Sequence, residues 1–345
     1  METINAALCS YGMSGLVFHG PLLEAHPGFK ITKILERRKL ESEGKHPGAL
    51  IVREYESILE DPKVQLVVVN TPDHLHFEMV REAIEAGKHV VVEKPFTLKS
   101  EDAAALISMA VKQGVMLTVF QNRRWDGDFL TVKEIIRSGK LGRVVDFESR
   151  FDRYRTEIRE SWKEQSTGTG TLYNLGSHLI DQALQLFGLP ERIYCDSRML
   201  RDGARTDDSF DLMLHYTDHK CMLRSSYLVR EPTPQFILHG TEGSYLKWGA
   251  DPQEEAMKQG QSPGSEGWGV ESETDWGKIN TGSGSSRIEG PYPTIPGNYM
   301  AFYDNLYDAV IHGKPVAVHP KEAMDVIRII EAAYESSRKG QSVSL

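Results

Sequence analysis

Lys94 ends the run His89-Val90-Val91-Val92-Glu93-Lys94-Pro95. Three consecutive valines read as a strand buried on both faces, and a proline fixes the charged pair where it stops. A lysine at the carboxyl end of a buried strand sits where open α/β sheets bind ligands. Low dielectric there disfavours an ammonium, which suits it to proton transfer. The plainer reading is a surface lysine leaving a strand. A second cluster is Thr171-Leu172-Tyr173-Asn174-Leu175-Gly176-Ser177-His178-Leu179-Ile180-Asp181. Asn174 and His178 are four apart, so a helical turn presents both on one side, and Asp181 follows where it can orient or pair with His178. Histidine is the natural base for a hydroxyl proton; the plainer reading is a buried histidine bonded within its helix. Local sequence cannot bring His178 to Lys94; only a fold can.

A third cluster, Ser10-Tyr11-Gly12-Met13-Ser14-Gly15, follows the first apolar strand. It matches the dinucleotide fingerprint Gly-x-Gly-x-x-Gly in part, with Ser10 in place of the first glycine. Gly12 lets the backbone approach a pyrophosphate and Gly15 lets helix and strand pack closely. The second strand ends at Leu35-Glu36-Arg37-Arg38-Lys39. An acid there binds the ribose hydroxyls of NAD, whereas arginine accommodates the 2′-phosphate of NADP. Glu36 and the Arg37-Arg38 pair point in opposite directions; two adjacent guanidiniums favour a phosphate, so the expectation is NADP before NAD. Asn70-Thr71-Pro72 closes the next buried strand and is expected to line the same crevice. His74 and His76, two apart, do not share a helical face, so a metal pair is not expected. They read as helix-start and packing residues.

The elements that must position these groups alternate over the first 120 residues. Strands are expected at Ile4–Cys9, Lys30–Leu35, Gln65–Asn70, His89–Glu93 and Val115–Phe120, with helices at Leu16–Ala25, Tyr55–Glu60, His74–Ala86 and Glu101–Gln113, the last capped by Ser100 and ended by Gly114. Such alternation means a parallel sheet with right-handed crossovers. After about Asn122 come a helix at Phe129–Arg137, a strand at Arg143–Phe151 and a helical stretch at Leu175–Phe187. Strands then follow one another at Ser209–Tyr216, Cys221–Tyr227, Gln235–Gly240 and Ser244–Trp248, which reads as an antiparallel sheet with one packed face. Residues 249–296, rich in Gly, Ser, Pro and Glu, read as a long surface excursion with the composition of a lid. The last helix, Lys321–Ser337, places Ala323, Val326, Ile327, Ile330 and Tyr334 on one face.

A chain of 345 residues argues for about two domains. A net charge of −9 argues against a nucleic-acid partner. No apolar run reaches the ~18 residues of a membrane span, and no signal peptide is legible, so the expected location is the cytoplasm. The three cysteines, Cys9, Cys195 and Cys221, are widely spaced and indicate neither a disulfide framework nor a thiolate metal site.

The partial glycine turn, Asn70-Thr71-Pro72, Glu93-Lys94-Pro95 and Gly176-x-His178 with Asp181 resemble the Gfo/Idh/MocA oxidoreductases over nearly the whole chain. Phe18-His19-Gly20-Pro21, Asn122-Arg123-Arg124-Trp125-Asp126 and Gly170-Thr171-Leu172-Tyr173 are most similar to its NADP-dependent scyllo-inositol dehydrogenase-like branch. The resemblance implies a Rossmann domain over 1–122. It implies an α/β domain over 123–345 with an open, predominantly antiparallel sheet that mediates homodimers or homotetramers, and C-terminal helices able to pack back on the first domain. It places nicotinamide and substrate in a crevice between domains. Lys94 then joins a proton relay and His178 acts as acid/base at the reacting oxygen. Residues expected along the cofactor are Gly12, Met13, Ser14, Gly15, Glu36, Arg37, Arg38, Asn70, Thr71, Pro72, His76, Glu93, Lys94 and Asn122. Pocket candidates are Asn122, Arg123, Arg124, Tyr154, Trp162, Asn174 and His178; for the arginines and aromatics the plainer reading is a salt bridge or a core ring. The substrate expected is a small polyol or sugar such as scyllo-inositol. A cofactor-binding sensor without turnover, or a reductase of another carbonyl or imine, are the alternatives. Asn174 stands where the family often has aspartate; it can hydrogen-bond a hydroxyl but cannot stabilise an imidazolium with charge.

Overall fold

The computed structural model of the chain describes residues 2–159, 164 and 169–345. Trp162, a pocket candidate, lies outside the described residues. Two compact units form. The first comprises Met1–Trp125, Gln253–Trp268 and Asn298–Asp325; the second comprises Asp126–Pro252, Gly269–Gly297 and Val326–Leu345.

In the first unit the strands are β1 (Ile4–Leu8), β2 (Phe29–Leu35), β3 (Leu50–Val52), β4 (Leu66–Val69), β5 (His89–Val92) and β6 (Leu117–Val119). They form one sheet in the order β3-β2-β1-β4-β5-β6, every pair parallel. Val67, Val68, Val69, Val90, Val91 and Val92 are fully buried, as unbroken β-branched runs require when helices cover both faces. The order reverses between β1 and β4, so the carboxyl ends of these neighbours open a crevice at the switch point. The helix Ser100–Gln113 ends at Gly114, whose positive φ of 67° closes it in the left-handed conformation. Ser100 is its first residue rather than its cap, which is an extended Lys99. The three-residue β3 was not foreseen; it is a short edge strand too brief for a legible alternation. The helix Met300–His312 adds Phe302 and Tyr303 to an aromatic cluster with Phe120 and Phe29, at ring separations of 4.9 to 6.2 Å.

In the second unit the strands are β7 (Val144–Arg150), β8 (Arg192–Arg198), β9 (Ser209–His215), β10 (Lys220–Ser226), β11 (Phe236–Gly240), β12 (Gly243–Lys247), β13 (Gly277–Thr281), β14 (Ile288–Tyr292) and β15 (Val343–Ser344). Their order is β14-β13-β12-β11-β7-β10-β9-β8-β15. β7 and β10 run parallel while the other neighbours run antiparallel, so the sheet is mixed: predominantly antiparallel, with one parallel pair that a purely antiparallel reading of the strand run leaves out. Long connections separate β7 from both of its sheet neighbours, and such connections leave strand direction unconstrained by any hairpin. Phe210, Leu212 and Leu214 of β9, with Cys221 and Leu223 of β10, face the core and alternate with more exposed residues.

The reading of 249–296 as one surface excursion is overturned. The segment contains the helix Gln253–Lys258 and the paired strands β13 and β14. Ile279 and Thr281 of β13 are buried between exposed Lys278 and Asn280. Five residues of alternation are too few to stand out in Gly- and Ser-rich surroundings. No described helix is long and apolar enough to cross a membrane.

Candidate active site

β1 delivers the chain to Ser10, which departs from the glycine fingerprint yet serves the turn: its Oγ accepts the Gly12 amide at 3.2 Å. Asn70 Nδ2, from the end of β4, donates to the Ser10 carbonyl at 2.8 Å. Gly15 lies in the first turn of the helical segment Ser14–His19, beneath that carbonyl. A Cβ on Gly15 would lie 2.5 Å from Ser10 O and 3.1 Å from Asn70 Nδ2. Gly15→Ala should therefore lower stability by about 1–3 kcal/mol, read as a lower denaturant midpoint at unchanged slope. Met13 is exposed at 58%.

At the end of β2, Glu36 is nearly buried. One carboxylate oxygen accepts the Glu41 amide at 2.8 Å; the other accepts the Ser42 amide at 3.1 Å and the Ser42 hydroxyl. Arg53 donates to the carbonyls of Glu36 and Lys39. The loop 37–42 is thus folded back on Glu36, with Arg37 and Arg38 exposed on it. Gly12, Glu36, Arg37, Arg38, Thr71 and Pro72 share the wall of one cavity of about 350 Å³. Just after β4, Asn70 Oδ1 and Thr71 Oγ1 are buried without a hydrogen bond inside the protein. A close-approach glycine turn and two guanidiniums on one wall fit the phosphates of a dinucleotide.

The loops after β4 and β5 are tied together. His76, 1% exposed, has Nδ1 2.8 Å from the Pro95 carbonyl and Nε2 3.0 Å from the Thr71 carbonyl. The Lys94 amide donates to Glu93 Oε2 at 3.1 Å, and the Lys94–Pro95 bond is cis. Glu93 Oε1 lies 3.2 Å from His19 Nε2, and His19 Nδ1 lies 2.6 Å from the Tyr303 hydroxyl. Burial pushes the Glu93 carboxyl up, but the His19 hydrogen bond and the charges of His19, Lys94 and His76 outweigh it and hold the group below its usual range. Burial, with Glu93 beside it, raises the Tyr303 phenol well above its ordinary value.

After β6, Asn122 opens a 3₁₀ turn and is 5% exposed. Arg123 pairs with Glu254 at 2.6 Å. Arg124 is buried, 2.7 Å from Glu322 and 3.1 Å from the Ala317 carbonyl. Both arginines therefore hold partners in their own unit.

In the second unit the segment Leu172–Gly176 runs into the helix Ser177–Phe187. Asp207 holds its start: one oxygen accepts the Leu172 amide and the Thr171 hydroxyl, each at 2.8 Å, and the other accepts the Tyr334 hydroxyl at 2.5 Å. Gly176 lets this segment press on β9, since a Cβ there would meet Leu172 and Phe210 at 3.0 and 3.2 Å. Asn174 and His178 sit one turn apart, with His178 7% and Asp181 2% exposed. Tyr154 is exposed at 52%, with the Arg230 guanidinium 5.1 Å over its ring.

Sequence reasoning missed the partners that fix these groups: Ser42 for Glu36, Asp207 for the His178 helix, and Tyr303 for His19. Each is distant in sequence or one polar residue in a loop. His19 alone carried a signal, within Phe18-His19-Gly20-Pro21.

Comparison with known proteins agrees with this architecture. Residues 4–121 match the family model described as "Oxidoreductase family, NAD-binding Rossmann fold", and 133–345 match "Oxidoreductase family, C-terminal alpha/beta domain". The chain is 40% identical to scyllo-inositol 2-dehydrogenase (NADP(+)) IolW of Bacillus subtilis, covering 100% of this chain and 97% of that protein. It is 31% identical to levoglucosan dehydrogenase of Pseudarthrobacter phenanthrenivorans over 39% of this chain and 36% of that protein. The crystal structure of an oxidoreductase from Bacillus cereus superposes with a TM-score of 0.91 at 34% identity, covering 99% of both chains. With both domain models matched and full-length relatives at this identity, the chain belongs to the Gfo/Idh/MocA oxidoreductase family.

Proposed function

We propose that this chain is an NADP-dependent dehydrogenase acting on a CH–OH group of a small polyol or cyclic sugar, of which scyllo-inositol is the first candidate. One observation carries the cofactor half: three donors from Glu41 and Ser42 occupy the Glu36 carboxylate, while Arg37 and Arg38 remain exposed on the cavity wall. A carboxylate engaged in this way is a poor acceptor for ribose hydroxyls, and two guanidiniums suit a 2′-phosphate. The full-length similarity to a protein named scyllo-inositol 2-dehydrogenase (NADP(+)) supports the substrate class.

The nicotinamide, when bound, supplies the hydride chemistry. The protein contributes placement and proton handling. His178 takes the hydroxyl proton as the alcohol becomes a carbonyl and returns it in reduction. Lys94 polarises the same oxygen. Asn174, one turn from His178, hydrogen-bonds a neighbouring hydroxyl. Gly12 and the Asn70-Thr71-Pro72 loop hold the dinucleotide, and Arg37 and Arg38 select its phosphate.

The test mixes purified protein with NADP or NAD and a panel of inositols and aldoses, following the near-ultraviolet absorbance of reduced cofactor. Turnover with NADP and a polyol is the expected result. NADP binding with no turnover in either direction would favour a sensor, and NADPH consumption confined to aldehydes, ketones or imines would favour a reductase. A strong preference for NAD would overturn the assignment of Arg37 and Arg38.

A further inference from the structure

The Phe18-His19-Gly20-Pro21 segment has no part in the chemistry above, yet it sends one polar side chain into an aromatic core. His19 and Tyr303 are fully buried and the Glu93 side chain is 14% exposed. The Phe120 ring centroid is 4.3 Å from that of His19, and Phe18 and Phe302 pack on Phe120. The three polar groups form a chain: Tyr303 hydroxyl to His19 Nδ1 at 2.6 Å, His19 Nε2 to Glu93 Oε1 at 3.2 Å, and Glu93 Oε2 to the Lys94 amide at 3.1 Å. A carboxylate only accepts, so Nε2 carries a proton and donates to Glu93, and the Tyr303 hydroxyl completes the hydrogen bonding of the ring at Nδ1. Nothing about stability demands this arrangement, because apolar side chains of similar volume fill a core as well or better. What distinguishes it is its terminus at the residue assigned to catalysis.

We propose that His19 and Tyr303 are positioning residues that hold the Glu93 carboxylate in place behind Lys94, so that the Lys94 turn stays fixed and its ammonium keeps a negative partner during proton transfer. The role rests on the dehydrogenase reading. Neither residue touches substrate or cofactor; both act through Glu93. The groups that bear on Glu93 are His19 from the first helical segment, His76 from the helix after β4, Tyr303 from the helix Met300–His312, and its neighbour Lys94. Removing the His19 donor takes away the largest of the influences that lower the Glu93 carboxyl, so that group protonates at higher pH than before.

Two variants and one spectrum test this. Tyr303→Phe deletes one hydroxyl, and His19→Leu removes the donor to Glu93. Each should lower kcat by about tenfold to a hundredfold, with the KM for NADP within about twofold. In His19→Leu the acid limb of the kcat–pH profile should move to higher pH. Fluorescence titration with NADPH should show cofactor binding retained in both. Independently of turnover, ¹⁵N spectra of histidine-labelled wild-type protein should show His19, identified by its loss in His19→Leu, protonated and hydrogen-bonded at Nε2. Variants that fold, bind NADPH and keep both kcat and the pH profile of an active wild type would overturn the positioning role alone. A bare Nε2 on His19 would overturn it too, even where a substitution prevents folding. A wild type without turnover on any substrate would overturn the dehydrogenase reading and this role with it.

Discussion

Lys94→Ala and His178→Ala should each lower kcat by ~10²–10⁴, the range for a lost proton-transfer group, which is about 3–5 kcal/mol of transition-state stabilisation. NADP binding, measured by fluorescence titration, should stay within about threefold, because neither residue is assigned to the pyrophosphate or the 2′-phosphate. The loss should fall on kcat and kcat/KM together, as expected for interactions made mainly in the transition state. The reason differs at the two positions. In the proposed mechanism His178 gains and loses the hydroxyl proton, so alanine would leave that proton without an acceptor. Lys94 is proposed to supply charge at the developing alkoxide, so alanine would leave it unpolarised. A variant of either kind with wild-type kcat would remove that residue from the chemistry.

The second large effect is expected at the adenosine end. Arg37→Ala with Arg38→Ala should raise the KM for NADP by about 10²-fold while changing that for NAD by less than about threefold, since a charge-assisted hydrogen bond contributes about 1.5–3 kcal/mol. The contrast between the two cofactors is the informative quantity, because a general disturbance of the loop would weaken both. The loop should survive the substitution: its fold depends on Glu36 accepting from Glu41 and Ser42 and on Arg53 donating to two carbonyls, and neither Arg37 nor Arg38 takes part in those bonds. Equal losses for NADP and NAD would contradict the assignment.

Much of the first unit was legible in sequence because its signals are local. Buried parallel strands need unbroken apolar runs, and Val67–Val69 and Val90–Val92 are such runs. Gly15 could be read as a close-packing glycine because the fingerprint fixes its distance from the first strand. The mixed pairing of the second sheet was not legible. β7 lies beside β10 in parallel, and its partner is chosen by long-range packing that no hairpin announces. β13 and β14 were hidden for a compositional reason, since Gly, Ser and Pro around them mask five-residue alternations. In the site, residue types marked Lys94, His178 and Arg37-Arg38 as candidates for chemistry. They did not reveal what orients them. Glu36 looked like a ribose ligand by position, and its loop partners Glu41 and Ser42 became visible only in three dimensions. Tyr303 lies 284 residues from His19, and no spacing rule connects them.

The claim on which the rest depends is that Lys94 and His178 serve one oxygen atom in one transition state. A double-mutant cycle on kcat/KM with NADP and the best polyol measures this directly. Groups that act as a unit lose their effect together, so the Lys94→Ala/His178→Ala protein should be little worse than the more damaged single variant. A double variant whose loss equals the product of the two single losses would mean that the residues work independently, and the shared-oxygen mechanism would be wrong.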